Sequence, residues 1–119
     1  MKTARRIIVA LDFDNVDDAE AIVDRLGNTG QAYKVGMELL TVAGPTLARR
    51  LVGEGKDVFL DLKLLEIPTS VAGAVRAAGR LGATMVTVHA MGGPKIMEAA
   101  VHAAAGFPQL RVIALTGRH

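Results

Sequence analysis

The sequence predicts an α/β fold of the (β/α)8 TIM-barrel family, here a truncated half-barrel of about four βα units plus the start of a fifth strand. Three observations lead there. Short apolar runs alternate strictly with amphipathic helical stretches, in the order β-α-β-α-β-α-β-α-β; buried strands joined in this way form a parallel sheet with right-handed crossovers. The turn after the first strand, Asp12-Phe13-Asp14-Asn15, is acidic and lacks glycine, and no G-x-G-x-x-G or P-loop pattern occurs in the chain. An open doubly wound nucleotide fold, the other architecture compatible with the alternation, usually places a Gly-rich turn there. A complete barrel needs about 250 residues, and this chain has 119.

The elements follow in order. Ile7-Ile8-Val9-Ala10-Leu11 is a continuous apolar run, the pattern of a strand buried on both faces. Asn15 can cap the next helix, with Asp17 and Asp18 in its first turn complementing the helix dipole. Ala19, Ile22, Val23 and Leu26 recur at helical spacing until Gly27. Ala32-Tyr33-Lys34-Val35-Gly36 reads as the second strand, Met37 to Ala43 as a short helical turn, and Gly44-Pro45 as the opening of a further helix. Asp57 to Leu62 begins as a third buried strand and ends in charge. Pro68 starts a helix with Val71, Ala74, Val75, Ala78 and Leu81 on one side, and Gly82 closes it. Thr84 to His89 is the fourth strand. Gly92-Gly93-Pro94 turns the chain into a helix bearing Ile96, Met97, Ala100, Val101 and Ala104, and Arg111 to Leu115 begins a fifth strand.

Composition bounds the function. Half of the chain is hydrophobic and 22% is charged, enough apolar mass for a core. The net charge is +2, with scattered basic residues and only four aromatic ones (Phe13, Tyr33, Phe59, Phe107), which argues against nucleic acid as a partner. There is no cysteine, so no disulfide frame and no thiolate metal site; cytoplasmic residence is compatible with this. The N-terminus, Met1 to Arg6, leads into an apolar run only as long as a strand, which Asp12 and Asp14 break off, and it reads as neither a signal peptide nor a membrane span.

In a barrel, function sits at the carboxyl ends of the strands. Those ends carry Asp12, Lys34, Asp61 with Lys63, and His89. One ionisable residue at a strand end is commonly a cap or a surface charge. Four strands in succession presenting one resemble a site, because charges facing a common centre are costly to desolvate unless mutually paired. Asp61 and Lys63 are two apart, so a regular strand directs both to one face. No pair of histidines or carboxylates on one element has metal-ligand spacing.

Val9-Ala10-Leu11-Asp12, Lys34-Val35-Gly36, Phe59-Leu60-Asp61-Leu62-Lys63 with Ile67-Pro68, and Val88-His89-Ala90 with Gly92-Gly93 resemble the orotidine 5′-phosphate decarboxylases, in order and up to Thr116. The resemblance implies a cofactor-free, metal-free carboxy-lyase that converts orotidine monophosphate to UMP in pyrimidine synthesis. By it, Asp12 holds the ribose and Lys34 links the ribose to the charged network. Asp61 lies against the substrate carboxylate, and Lys63 protonates the carbon left behind. Glu66 enters the neighbouring subunit's site in a homodimer, together with residues just after it such as Ile67 and Thr69. His89 is a further substrate or phosphate contact.

The chain departs from the family pattern at Glu66, usually Asp; at Leu65, often His; and at Thr69-Ser70, often Asn-Thr. Residues 1–116 read as the N-terminal half of such a barrel. Gly117-Arg118-His119 read as a cloning scar or the start of a purification tag. The family's phosphate-binding glycines and arginine follow strands seven and eight, so the 119 residues alone are expected to be inactive. An Mg2+-dependent sugar-phosphate decarboxylase or synthase of the same superfamily is disfavoured, because Lys34 stands where those enzymes place an acid. The alternative of another class is a half-barrel serving as a folding or self-association module, its open edges driving dimers or larger species.

Overall fold

The computed structural model describes residues 7–117. Arg118 and His119, two of the three residues of the tag reading, and the first six residues, part of the stretch read for a signal peptide, lie outside the described residues. Five strands, β1 (Val9–Ala10), β2 (Ala32–Gly36), β3 (Asp57–Leu64), β4 (Met85–His89) and β5 (Arg111–Leu115), alternate with α1 (Val16–Leu26), the pair α2 (Met37–Ala43) and α3 (Pro45–Gly53), α4 (Pro68–Leu81) and α5 (Pro94–Ala104). Local chemistry sets the ends. The Asn15 side chain accepts the Asp18 N–H at 2.9 Å and opens α1. Proline occupies the first turn of α3, α4 and α5, where its missing N–H is of no consequence. Gly82 ends α4 in the left-handed conformation, with φ of 90°, and its N–H returns to the Ala78 and Gly79 carbonyls.

The sheet is wholly parallel and ordered β1-β2-β3-β4-β5. Each strand lies beside its predecessor and the order never reverses. A doubly wound sheet must reverse at a switch point, so this is the winding of a barrel segment. Tyr33, Val35, Val58, Leu60, Val86 and Val88 are buried on one face, in one cluster with Val23, Leu47, Leu51, Val71, Val75 and Ala100 of the helices. On the other face Lys34, Phe59, Asp61 and Met85 are only half-buried.

The first strand departs from expectation. Its paired part is Val9–Ala10, and Ile7 and Ile8 are exposed. β1 is an edge strand with one neighbour, and Val9 and Leu11 are covered while Ile8 and Ala10 are exposed, so the run predicted to be buried on both faces is covered on one face alone.

The third strand carries the second irregularity. Leu60 pairs with Val86 and Leu64 with Val88, so four steps along β3 stand against two along β4. The ladder is broken between them, as at a bulge. Within it Lys63 adopts φ of 50°, the only non-glycine residue with positive φ among those described.

Candidate active site

The bulge lies where β3 leaves the sheet, and it organises the charges around it. Asp61 is the centre. Its Oδ2 accepts a hydrogen bond from Lys63 Nζ at 2.9 Å. Lys34 Nζ, from β2, lies 3.9 Å from the same oxygen and 3.9 Å from Asp12 Oδ1, just beyond β1. Asp12, Lys34, Asp61 and Lys63 thus form a continuous chain of alternating sign across three neighbouring strand ends. The Asp61 side chain retains 14% of its accessible surface and Asp12 retains 77%, so Asp61 is the most buried member and Asp12 the most exposed.

The protonation state of Asp61 follows from its partners. Burial pushes its carboxyl up. The Lys63 hydrogen bond, the Thr87 hydroxyl and the charges of Lys63 and Lys34 together outweigh burial and hold it below its ordinary value. The site is therefore built around an ionised carboxylate.

Thr87 was not anticipated from sequence. It lies on β4, is fully buried, and its hydroxyl donates to Asp61 Oδ1 at 2.9 Å. The available signal was its polarity between Val86 and Val88 on a strand whose like-facing residues are Met85 and His89.

A cleft of about 620 Å3 opens beside the charges, with Asp12, Lys34, Asp61 and Lys63 in its wall together with Phe13, Gly36 and Met37. Phe13 and Met37 give it apolar surface next to the charges, and Asp14 and Glu38 line it as well, a mixed lining that suits a polar organic molecule better than a bare ion. Among the described residues no three His, Asp or Glu side chains are placed to hold a metal.

The other predicted site residues lie elsewhere. Glu66 and Ile67 are exposed in the link from β3 to α4, Thr69 is exposed in the first turn of α4, and none of the three lines the cleft. His89 has both ring nitrogens engaged by backbone: Nε2 lies 3.0 Å from the Gly117 carbonyl, and Nδ1 accepts the Met91 N–H at 3.1 Å. These contacts make Nε2 the protonated nitrogen and fix the turn after β4.

A family model described as "Orotidine 5'-phosphate decarboxylase / HUMPS family" matches residues 5–119. The chain belongs to this family. The match includes residues 117–119, which the sequence reading set apart. Among curated orotidine 5′-phosphate decarboxylases, that of a Bradyrhizobium strain is 50% identical over 111 residues, covering 93% of this chain and 44% of the relative. That of Halorhodospira halophila is 52% identical over 100 residues, covering 84% and 42%. The crystal structure of orotidine 5′-phosphate decarboxylase from Lactobacillus acidophilus superposes with a TM-score of 0.85 at 36% identity, covering 94% of this chain and 53% of that one. An uncharacterized conserved protein from Geobacillus kaustophilus superposes with a TM-score of 0.86 at 40% identity, covering 93% and 54%. The chain spans less than half the length of these curated relatives and about half of these structures. Its five consecutive parallel strands with alternating helices are consistent with a half-barrel fragment of that fold.

Proposed function

We propose that this chain supplies the chemical groups of an orotidine 5′-phosphate decarboxylase, a cytoplasmic lyase that converts orotidine monophosphate to UMP. One observation carries the reading: the alternating chain Asp12–Lys34–Asp61–Lys63 at three successive strand ends, with Asp61 and Lys63 2.9 Å apart. Loss of CO2 leaves a carbanion. An ammonium held beside it stabilises the developing charge and then delivers a proton, the role given to Lys63. Asp61, ionised and facing the departing carboxylate, fixes Lys63 in place. Lys34 and Asp12, at the β1 and β2 end of the chain of charges, take the ribose hydroxyls. Lys34 Nζ beside Asp61 favours this chemistry over a Mg2+-dependent relative, because an ammonium repels the cation.

The chain as it stands is expected to turn over no orotidine monophosphate. Binding energy from the remote phosphate drives such a reaction, and that site belongs to the half of the barrel that the relatives have beyond the matched region. The assay is orotidine monophosphate consumption at high protein concentration, alone and with a separately produced C-terminal half of a relative. Complementation should give turnover that drops about 10²–10⁴-fold in Lys63→Ala. Complemented turnover that survives this substitution would overturn the role of Lys63. Turnover by the chain alone that vanishes in Lys63→Ala would overturn the inactivity.

Self-association belongs to the same proposal. β1 and β5 are open edges, and the uncovered face of the sheet holds half-buried Phe59 and Met85. Ile67 and Met91 add exposed apolar surface near the strand ends. Two copies could close on each other, and Glu66, exposed on that rim, is free to reach a partner's cleft. Size-exclusion chromatography should give a dimer or larger species, and a compact monomer at micromolar concentration would contradict it.

A further inference from the structure

We propose that Thr87 is the positioning residue of the Asp61–Lys63 pair, a single buried hydroxyl that ties the carboxylate and the lysine backbone to β4 at once. The inference rests on the reading of that pair as catalytic, and goes beyond it by naming what holds the pair in register.

The bulge creates the need. Where four steps of β3 face two of β4, the Lys63 N–H loses its place in the ladder. The Thr87 hydroxyl takes the role of the absent carbonyl, accepting that N–H at 2.9 Å. Proton accounting then fixes the second bond. An amide can only donate and an ionised carboxylate can only accept, so the one hydroxyl proton of Thr87 is committed to Asp61 Oδ1, at 2.9 Å. Oδ2 is left for Lys63 Nζ, at 2.9 Å. With one oxygen tied to β4 and the other to the ammonium, the Asp61 carboxylate cannot rotate without breaking a bond. Lys63 is held where its positive φ would otherwise relax, a conformation that non-glycine residues keep only when their surroundings impose it.

The groups facing Asp61 come from three strands. Lys34 approaches from β2, with Asp12 behind it, and Lys63 from β3 itself. From β4 come Thr87 and, two residues on, His89, whose ring nitrogens are engaged by the Gly117 carbonyl and the Met91 N–H. Among the described residues Thr87 is therefore the one side-chain contact to Asp61 that carries no charge and is wholly shielded from water.

The test uses the full chain without substrate, so its outcome is independent of the decarboxylase assay. Thr87→Val keeps the volume and removes the hydroxyl, whereas Thr87→Ser keeps the hydroxyl and removes the methyl. Two readouts are followed by NMR: the titration of the Asp61 carboxyl and the hydrogen-exchange rate of the Lys63 amide, with the urea midpoint as a control. Thr87→Val should move the Asp61 titration upward and speed Lys63 exchange about tenfold, the scale of one lost hydrogen bond. Thr87→Ser should restore both. If Val leaves both unchanged, or if Val and Ser perturb them equally, Thr87 acts by packing alone and the proposal fails. Should neither variant fold, the unmutated chain decides: a slowly exchanging Thr87 hydroxyl proton close to the Lys63 amide supports the proposal, and a rapidly exchanging one overturns it.

Discussion

Two clusters of four charged residues flank β2, and their difference separates a strut from a site. On the helix side Arg50 of α3 donates to Glu20 and to Glu54, each at 2.9 Å, and to Asp24. Each nitrogen of one guanidinium is thereby engaged by a carboxylate, two of the three on α1. On the opposite face Lys34, Asp61, Lys63 and Asp12 include one close contact and two gaps of 3.9 Å. The outer cluster has spent its central donor on the protein's own acids. The inner one keeps donors and acceptors for something else, and it lines a cleft. Neighbouring residues of one strand feed both: Tyr33 lies within range of the Arg50 and Glu54 charges, and Lys34 enters the inner network.

The largest expected effect comes from neutralising the inner centre. Asp61→Asn leaves the ammoniums of Lys34 and Lys63 with no carboxylate between them. Removing one partner of a fully buried pair costs about 3–5 kcal/mol; solvent reaches both lysines here, which lowers the loss to about 2 kcal/mol at pH 7. The pH dependence has a definite sign. The folded pKa of Asp61 lies below its ordinary value of 3.8, so its stabilisation is complete above that value and is lost as pH falls through the lower, folded pKa. Urea unfolding of the parent and Asp61→Asn should therefore differ at pH 7 and converge in strong acid. A gap that stays constant down to pH 2 would show that Asp61 contributes by shape, not charge.

The inner cluster was legible in its residues and not in its mechanics. Its four members stood at predicted strand ends, because charge interrupting an apolar run is visible without coordinates. The conclusion that Asp61 and Lys63 meet was right, but the regular alternation invoked for it does not operate. The strand is bulged there, and Lys63 has a backbone conformation that no glycine announces. Thr87 stayed hidden because its importance comes from register across β3 and β4, a long-range property. Pro68, Gly82 and Asn15 gave element ends directly, since each acts on its own backbone. The extent of β1 was overread, because an apolar run reports what could be buried and not which neighbour covers it.

Breaking the outer cluster should cost less. Arg50→Ala leaves Glu20, Asp24 and Glu54 without their shared cation and loosens α1 against α3. The pairs are largely exposed, so the expected loss is about 1 kcal/mol and should shrink as salt is raised toward 1 M. The Asp61 titration should not move. A shift there would mean that the two clusters communicate through β2, and the division between strut and site would fail.

The smallest effect, and the finest test of that division, is Tyr33→Phe. Tyr33 is fully buried, and its hydroxyl is the one buried side-chain polar atom without a hydrogen-bond partner among the described residues. It sits against Gly30, where a Cβ would lie 2.0 Å from the hydroxyl oxygen. Burial first, and then the Glu54 charge, against a smaller opposing effect of Arg50, raise its pKa and keep the phenol neutral. An unpaired buried hydroxyl has given up its water without a replacement, so deleting it should leave stability unchanged or raise it by up to about 1 kcal/mol. Urea midpoints at neutral pH measure this, and a clear loss would reveal a partner for the hydroxyl. The ring remains in place, so β2 keeps its register, and Lys34 should hold the same distance from Asp61 in the variant as in the parent. An unaltered Asp61 titration in Tyr33→Phe, beside a raised one in Thr87→Val, would show that the site is set by residues sharing its face of the sheet and not by the packing beneath it.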